Sequence, residues 1–315
     1  MAEYKQIHKV EVEKKPFKLT KKMIALLVVA IVLVVGVITA YIVTADKDGY
    51  TSSVKNGSSE VISGDVSVTK KGLYEYLLDN YGANEVLNEA YNKITAKEIT
   101  DKDAINAKVE ELKNRYASYS GSFETYAKNQ GYSDAKTYEK EVVVPEAKSE
   151  LLEEKYLDTK FNDACKKYNV SYLKIVEYSK ESEALKALKT VTDENAMTAL
   201  MNANASNSTD LGFVCSKSST TTVDKKLIKA LSKFTSLKTD GVYKEAVKLS
   251  TGKYAVVYVY NTDKAAKKDD IVSNLQNLAD VQSDIESYYL KKYKFTVEDE
   301  KVKKDIKKIS SKYVD

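Results

Sequence analysis

The sequence has one histidine and no tryptophan, and only two cysteines and two prolines among its 315 residues. The histidine, His8, lies in the N-terminal tail, which excludes histidine from any catalytic or metal-binding scheme in the rest of the chain. Cys165 and Cys215 are separated by 49 residues, and without a second pair they encode neither a metal knuckle nor a disulfide framework. We therefore predict no metal site and no cofactor. The sequence leaves open whether the two cysteines form one disulfide bond or remain thiols.

Beyond the N-terminal tail, the chain has no excess of charge of one sign. Residues 1–22 carry seven lysines against three glutamates, which accounts for the whole formal charge of +4. Residues 23–315 therefore carry equal numbers of basic and acidic groups, 43 of each. Nucleic-acid binding requires a basic surface that displaces condensed counterions. The charge distribution thus argues against a nucleic-acid partner.

One long apolar run follows the lysine-rich tail. Met23–Ala45 contains 23 residues without a charged side chain, and at about 1.5 Å of rise per residue such a helix can span a hydrocarbon core of about 30 Å. The lysines of residues 1–22 place the N-terminus in the cytoplasm. A signal peptide cleaved after Ala45 is the alternative, although the run is longer than the usual apolar core of such peptides. We predict a cell-membrane protein with one span and an extracytoplasmic C-terminal domain.

The residues beyond this span divide into a linker and three folded segments. Residues 46–65 are rich in serine, glycine and lysine, which is typical of a solvated linker. Residues 66–168 show apolar side chains at helical spacing. Residues 169–263 indicate strands and short helices in the order βααβαββ, and residues 264–315 return to helical spacing. The C-terminal helices lack a core of their own, so we expect them to pack on the first helical segment.

The strand predictions depend on three stretches that are rich in β-branched and aromatic residues. Val170–Tyr178 is bounded by polar residues on both sides. Gly241–Leu249 and Lys253–Tyr260 are separated by Ser250-Thr251-Gly252, which is typical of a β-hairpin. The predicted fold class is therefore α+β, with a small mixed domain between two helical segments.

Four stretches of the sequence have recognisable patterns: Phe123–Tyr132 followed by Tyr138, Asp210–Phe213 (DLGF), Leu237–Val242 and Gly252–Val257. In these stretches the chain resembles the extracytoplasmic foldases of the PrsA and SurA type. The first resembles a helix–turn–helix of their N-terminal chaperone lobe, and the second is similar to a segment of parvulin domains. The third is similar to the turn before the penultimate parvulin strand, and the fourth stands where the last strand begins. The resemblance implies a helical chaperone lobe built from both chain ends, with a small parvulin-like peptidyl-prolyl isomerase domain inserted in it.

The same resemblance implies that the isomerase site is degenerate. Active parvulins carry two facing histidines, and the matching positions here fall within residues 172–174 and at Ala255. Of the apolar pocket, Phe213 is retained, while Leu227 or Ile228 stands near an expected aromatic position. The degenerate pocket positions are Tyr172, Leu173, Phe213, Leu227 and Ala255. We predict no catalytic residue and little or no catalysis, and an active isomerase with a non-standard pocket is the alternative.

The sequence thus predicts a membrane-anchored chaperone or foldase that binds unfolded, secreted polypeptides outside the cytoplasm. Its 24 tyrosines suit loose binding of varied peptides because the tyrosine ring is amphipathic, although tyrosines are also ordinary core residues. A cell-envelope scaffold or partner-binding ectodomain is the second alternative. The sequence names no client and leaves the oligomeric state open, a dimer included.

The predicted topology can be tested by protease protection. Protease added to outward-facing spheroplasts should remove everything beyond Asp46 and leave residues 1–22 intact, because the membrane shields the cytoplasmic side. Immunoblots against a tag at each terminus would report which part survives. Release of the ectodomain into the medium, with a new N-terminus at Asp46, would show instead that residues 23–45 are a signal peptide.

Overall fold

The computed structural model describes residue 54 and residues 56–63 and 65–314. The predicted cytoplasmic tail (1–22) and the predicted membrane span (23–45) lie outside these residues. Within the described part of the chain, no helix combines the length and the apolar composition that crossing a bilayer requires. The described residues form a mixed α+β fold that is mostly helical and contains a small antiparallel sheet. The predicted α+β class is confirmed at this level.

The described residues divide into two compact units, of which the first ends at Glu85 and the second begins at Val86. In the first unit, strand β1 (Glu60–Ile62) pairs antiparallel with strand β2 (Val68–Thr69). β1 falls inside the predicted linker, residues 46–65, and all three of its side chains are exposed. The linker therefore contains a short strand that its polar composition does not indicate.

Helix α1 (Lys70–Glu98) is longer than the sequence predicts. It begins after Thr69, whose Oγ1 accepts a hydrogen bond from the Gly72 N–H at 3.1 Å, as expected of a capping threonine. The apolar pattern indicates two helices with a break at residues 82–83, and the structure has no break there. Glycine inside a helix costs only about 1 kcal/mol relative to alanine, which packing along the helix readily outweighs.

Residues 102–167 are almost entirely helical. They form α2 (Lys102–Ser120), α3 (Phe123–Asn129), α4 (Ala135–Tyr138), a π-helical turn (Glu139–Val143), α5 (Val144–Thr159) and α6 (Phe161–Lys167). Asp101 caps α2, because its carboxylate accepts hydrogen bonds from the N–H groups of Asp103 at 2.9 Å and Ala104 at 3.1 Å. Gly121 ends α2 with a φ of +83°, a left-handed conformation that glycine adopts without steric cost.

A five-stranded antiparallel sheet follows. Its elements are β3 (Ser171–Tyr178), α7 (Glu181–Leu188), α8 (Glu194–Ala203), β4 (Ser208–Val214), α9 (Lys225–Phe234), β5 (Gly241–Val242), β6 (Val247–Lys248) and β7 (Tyr254–Tyr260). The strand order is β4-β3-β7-β5, and β6 also pairs with β7. Along the central ladder, Tyr172 pairs with Tyr260 and Tyr178 with Tyr254. The first and last strands of the segment are therefore neighbours.

The predicted strand Gly241–Leu249 is divided into β5 and β6. Val242 pairs with Tyr258 and Val247 with Ala255, so four residues on this strand face two residues on β7. The surplus residues leave the ladder as a bulge. Apolar patterning specifies which residues face the core, but it does not reveal a mismatch in the number of residues between paired strands.

The sheet buries a different apolar cluster on each face, because alternate residues of a strand point to opposite sides. Leu173 and Ala255 lie on one face, which we call the α9 face. The α9 residues in the same cluster are Leu227, Leu231 and Phe234. On the other face, the α7–α8 face, Val256 shares a cluster with Ala184 of α7 and Met197 of α8.

Three helices complete the chain. They are α10 (Lys268–Gln276), α11 (Ala279–Lys292) and α12 (Glu300–Ile309). Gln276 Nε2 donates a hydrogen bond to the backbone carbonyl of Glu150 at 3.1 Å, and the rings of Tyr156 and Tyr288 meet edge to face at 4.9 Å. Helices α10 and α11 therefore pack against α5.

Glu98, the last residue of α1, connects helices that are far apart in the sequence. Its carboxylate accepts hydrogen bonds from the ammonium groups of Lys292 and Lys155, the latter at 2.9 Å, and from the Tyr293 hydroxyl at 2.9 Å. The bond from Lys292, and then that from Lys155, lower the pKa of Glu98 from 4.5 to about 2. The stability that this carboxylate contributes is present above pH 4.5 and is lost as the pH falls towards 2.

Glu153 of α5 is in the opposite situation, because it is buried and forms no ion pair within the described residues. Burial, and secondly the nearby carboxylate of Glu286 on α11, raise the pKa of Glu153 from 4.5 to about 8. Glu286 accepts a hydrogen bond from the Tyr313 hydroxyl, and burial raises its pKa as well. The folded state therefore favours protonated Glu153. The corresponding stability is full below pH 4.5 and is lost as the pH rises towards 8.

Replacing Glu153 by glutamine should stabilise the protein at high pH. Glu153→Gln keeps a neutral hydrogen-bonding group in place of the buried acid, so we expect a gain on the order of 2 kcal/mol in unfolding free energy at pH 8. At pH 4 the gain should vanish, because the native acid is then protonated. Urea unfolding followed by circular dichroism at both pH values measures the difference. The matched control is Glu298→Gln at an exposed position, and an equal gain at pH 4 and pH 8 would contradict the mechanism.

Candidate functional site

The DLGF segment forms a bulge in β4. Leu173 of β3 pairs with Gly212 and Lys174 with Asp210, which leaves Leu211 as an extra residue. Gly212 has a φ of +61°, and its N–H donates to the Asp210 carboxylate at 3.0 Å. Leu211 packs against the cluster of the α9 face. Strand geometry thus explains the motif. Gly212 permits the positive φ of the bulge, Asp210 accepts a hydrogen bond within it, and Leu211 anchors it to the core of the α9 face.

Three of the five pocket positions meet in one closed core on the α9 face. Leu173 and Ala255 are 0% exposed and Leu227 is 1% exposed. The buried members of their cluster are all apolar side chains. At these three positions the protein therefore offers no acid, base or nucleophile, and no opening that would admit a peptide.

The other two pocket positions lie on the α7–α8 face. Tyr172 and Phe213 pair across β3 and β4, and their rings meet edge to face with centres 6.1 Å apart. Tyr260 of β7 packs on the other side of Tyr172 at 5.6 Å. The structure therefore brings Leu173 and two other positions together but separates them from Tyr172 and Phe213, and the five do not form a single site.

Two tyrosines of the α7–α8 face donate hydrogen bonds to carboxylates, one on α10 and one within the sheet itself. The Tyr172 hydroxyl donates a hydrogen bond to Asp270 of α10, and the Tyr260 hydroxyl donates to Asp210 at 2.7 Å. Burial, and then these carboxylates, raise the pKa of both phenols, so both remain protonated donors at neutral pH. Lys264 lies with its Nζ 5.5 Å from the Tyr172 ring centre, and burial lowers its pKa. This arrangement is structural, because every one of these groups already has a partner in the chain.

Phe234 is a further residue of the α9 face, and it is not among the five pocket positions predicted from the sequence. Its side chain is 0% exposed, and its ring meets that of Tyr243 edge to face at 5.0 Å. Leu227, Leu231 and Phe234 recur at positions i, i+4 and i+7 of α9. This spacing is the signal that identifies Phe234, because it places the three side chains on one side of the helix.

The tyrosines of α2 to α4 belong mainly to the core. The six aromatic residues of this cluster are Tyr116, Tyr119, Phe123, Tyr126, Tyr132 and Tyr138. Tyr116 and Tyr126 stack with ring centres 4.6 Å apart and planes 12° apart. Of the six, only Tyr119 is largely exposed, at 67%. The abundance of tyrosine here therefore reflects packing more than an extended binding surface.

A groove beside α1 and the end of α11 does present aromatic rings to solvent. Its volume is about 190 Å³, and its lining residues are Ala90, Lys93, Ile94, Lys97, Tyr293 and Phe295. After α11 the chain turns at Lys294, which has a φ of +53°, and the Phe295 N–H donates to the carbonyl of Leu290 at 2.9 Å. This is the hydrogen-bonding pattern of a Schellman motif. It folds the chain back, so that Phe295 lines the groove together with Tyr293.

Metal and thiol chemistry receive no support from the described residues. Within residues 56–63 and 65–314, no cluster of three or more His, Cys, Asp or Glu side chains could hold a metal ion. Cys165 and Cys215 are both free and buried. Burial raises the pKa of Cys165 to about 11 and also raises that of Cys215, so neither thiol is ionised at neutral pH.

The fold is similar to several solved structures of PrsA proteins. The foldase PrsA of Streptococcus pneumoniae shares 18% identity at a TM-score of 0.37, with 81% of this chain and 100% of that chain covered. The peptidylprolyl isomerase PrsA of Bacillus cereus shares 17% at a TM-score of 0.44, with coverages of 81% and 99%. PrsA of Bacillus subtilis shares 20% at a TM-score of 0.38, with coverages of 80% and 99%.

These comparisons confirm the predicted resemblance to PrsA proteins. No protein-family model matches the chain. No curated protein matches it either.

A histidine at position 255 should disturb the fold and create no activity. Because Ala255 is fully enclosed by apolar neighbours, Ala255→His adds volume and an unpaired polar group, and we expect a loss of about 2–4 kcal/mol in stability. Thermal unfolding and a protease-coupled isomerisation assay measure the two effects. The control variant Ala203→His, at an exposed position of α8, should unfold at the wild-type temperature. Isomerase activity in Ala255→His at unchanged stability would show that the α9 face is not closed.

Proposed function

We propose that this protein is a membrane-anchored extracytoplasmic chaperone for unfolded, secreted polypeptides, with a parvulin-like domain that has no catalytic role. In this proposal the lysine-rich tail is cytoplasmic, and the chaperone lobe is built from both ends of the ectodomain. The proposed segments are a tail (1–22), a membrane helix (23–45), a linker (46–65), a helical lobe (66–168 and 264–315) and an inserted parvulin-like domain (169–263).

The closed core at Leu173, Leu227 and Ala255 is the observation that supports an inactive domain. Prolyl isomerisation crosses a barrier of about 18–20 kcal/mol. An enzyme lowers a barrier by interactions that are stronger in the transition state than in the bound substrate. Such interactions require a cavity that admits the peptide and polar groups directed into it, and the three positions supply neither.

Contacts between distant helices support a lobe built from both chain ends. Lys268 at the start of α10 forms an ion pair with Asp158 of α5 at 2.9 Å. Glu98 of α1 binds Lys155 of α5 and Lys292 of α11. These contacts pair charged groups of helices that precede the sheet with charged groups of helices that follow it. The helices from both sides of the sheet therefore pack together.

Exposed aromatic rings on this helical frame support a role in binding unfolded chains. Tyr119 on α2 is 67% exposed, Tyr288 on α11 is 40% exposed, and Tyr293 and Phe295 line the groove. A tyrosine ring combines apolar area with a polar end at little cost in side-chain entropy, which suits weak binding of many sequences. The proposed clients are therefore unfolded polypeptide segments rather than one folded partner.

The proposal predicts chaperone activity without isomerase activity. Full-length protein in nanodiscs should suppress aggregation of a denatured client at a near-stoichiometric ratio, as measured by light scattering against empty nanodiscs. Prolyl isomerisation by the same preparation should stay within a few-fold of the uncatalysed rate. A rate enhancement above about a hundredfold, equivalent to about 2.7 kcal/mol, would establish an active isomerase. Absence of any suppression would favour the scaffold alternative.

A deletion variant separates the contributions of the two parts. Replacing residues 170–262 with a short flexible linker should preserve much of the suppression, because the chain enters and leaves this segment at the neighbouring residues Tyr172 and Tyr260. Helical content measured by circular dichroism is the folding control. A variant that keeps its helices but loses all suppression would assign client binding to the sheet segment instead.

A further inference from the structure

The groove beside α1 has the size of a site for one side chain. Its volume is about 190 Å³, whereas sites for small organic ligands usually measure about 300–1,000 Å³. The groove is therefore smaller than a usual ligand site, and its size suits one large side chain. Ile94 is buried at its floor, and Ala90, Tyr293 and Phe295 are half-buried around it. The apolar floor favours an aromatic or large aliphatic side chain.

Two lysines stand at the rim of this floor. Lys93 forms an ion pair with Glu89 of the same helix at 3.0 Å. Lys97 makes no ion pair within the described part of the chain, and its Nζ lies 5.5 Å from the centre of the Tyr293 ring. An exposed ammonium group beside an aromatic surface keeps its full charge for a ligand while its stem covers apolar area.

Glu98, which follows Lys97 in the sequence, does not neutralise the positive charge of this rim. The carboxylate of Glu98 already accepts hydrogen bonds from Lys155, Lys292 and Tyr293. Lys292 also lies with its Nζ 5.7 Å from the Tyr293 ring centre, which places a second cation beside the same ring. The groove therefore combines an apolar floor with an excess of positive charge at its edge.

We propose that this groove binds unfolded polypeptides at segments in which an aromatic or large aliphatic residue is flanked by Asp or Glu. The inference rests on the proposed chaperone function and adds the class of segment that is recognised. Charge complementarity selects this occupant, because a carboxylate beside the inserted side chain faces Lys97 at close range. A segment flanked by Lys or Arg meets repulsion from the same rim.

The proposal is tested with three labelled peptides in a Gly-Ser background. The first has one phenylalanine flanked by two aspartates, the second has lysines in place of the aspartates, and the third has alanine in place of the phenylalanine. Each is titrated with the full-length protein in zwitterionic nanodiscs, and binding is followed by fluorescence anisotropy. The first peptide should bind at least about fivefold more tightly than either of the others. Its affinity should fall with rising salt concentration.

Two variants connect the binding to this groove. Lys97→Glu should lower the affinity for the acidic peptide by about fivefold or more and raise the affinity for the lysine-flanked peptide. Phe295→Ala should lower the affinity for both peptides that contain phenylalanine. The matched controls are Lys128→Glu on α3, an exposed lysine without an ion pair in the described residues, and Ile309→Ala, an apolar side chain that is 48% exposed. Both controls should bind like the wild type, and circular dichroism verifies that all four variants are folded.

The outcomes separate this proposal from the chaperone function itself. Equal affinity for acidic and basic peptides, or unchanged affinity in Lys97→Glu and Phe295→Ala, overturns the groove as the recognition site even when the wild type suppresses aggregation. Binding of the acidic peptide that both variants abolish, without any suppression of aggregation, supports the groove and overturns the chaperone function.

Discussion

The pairing of Tyr172 with Tyr260 is the constraint on which the rest of the architecture depends. Opposed residues of antiparallel strands lie about 4.5–5.5 Å apart, so the chain enters the sheet through β3 and leaves it through β7 at one place. The helices on either side are thereby held close, and Lys268 of α10 reaches the ring of Phe161 on α6 at 5.8 Å. Because the exit is fixed in this way, α10 and α11 can return to α5.

The interface of these returning helices contains two carboxylates in opposite electrostatic surroundings. Glu98 is ionised and surrounded by donors, whereas Glu153 is buried near a second carboxylate and favours its protonated form. The stability from Glu98 is present above pH 4.5 and is lost as the pH falls towards 2, whereas that from Glu153 is present below pH 4.5 and is lost as the pH rises towards 8. Together the two carboxylates therefore favour the contact between the two chain ends most near pH 4.5. The two glutamates act in opposite directions because Glu98 has cationic partners and Glu153 has none among the described residues.

The sequence predicts the local features of this protein better than its non-local ones. The helical character of residues 102–167 and the strand that ends at Tyr178 follow from short-range patterns, and the structure has both. The sequence also suffices to predict that the pocket positions are divided between two faces, because adjacent strand residues such as Tyr172 and Leu173 must point to opposite sides of a sheet.

Other features depend on pairings that no local pattern contains. The split of Gly241–Leu249 follows from the number of residues that face it on β7. The groove joins residues 90–97 to residues 293–295, which the sequence separates by about two hundred positions. Tertiary packing determines such sites, so spacing along the chain does not reveal them.

Because α10 and α11 come last in the sequence, they also determine the order in which parts of the protein can fold when the chain emerges N-terminus first. All strand partners of the five-stranded sheet lie between residues 171 and 260, so this part has its contacts as soon as β7 is present. Glu98 meets Lys292 only after another 194 residues have followed it. Until then, the apolar side of α5 that α10 and α11 cover is exposed to water. The protein, for which we propose a role in binding unfolded chains, is therefore itself incompletely folded until α11 is present.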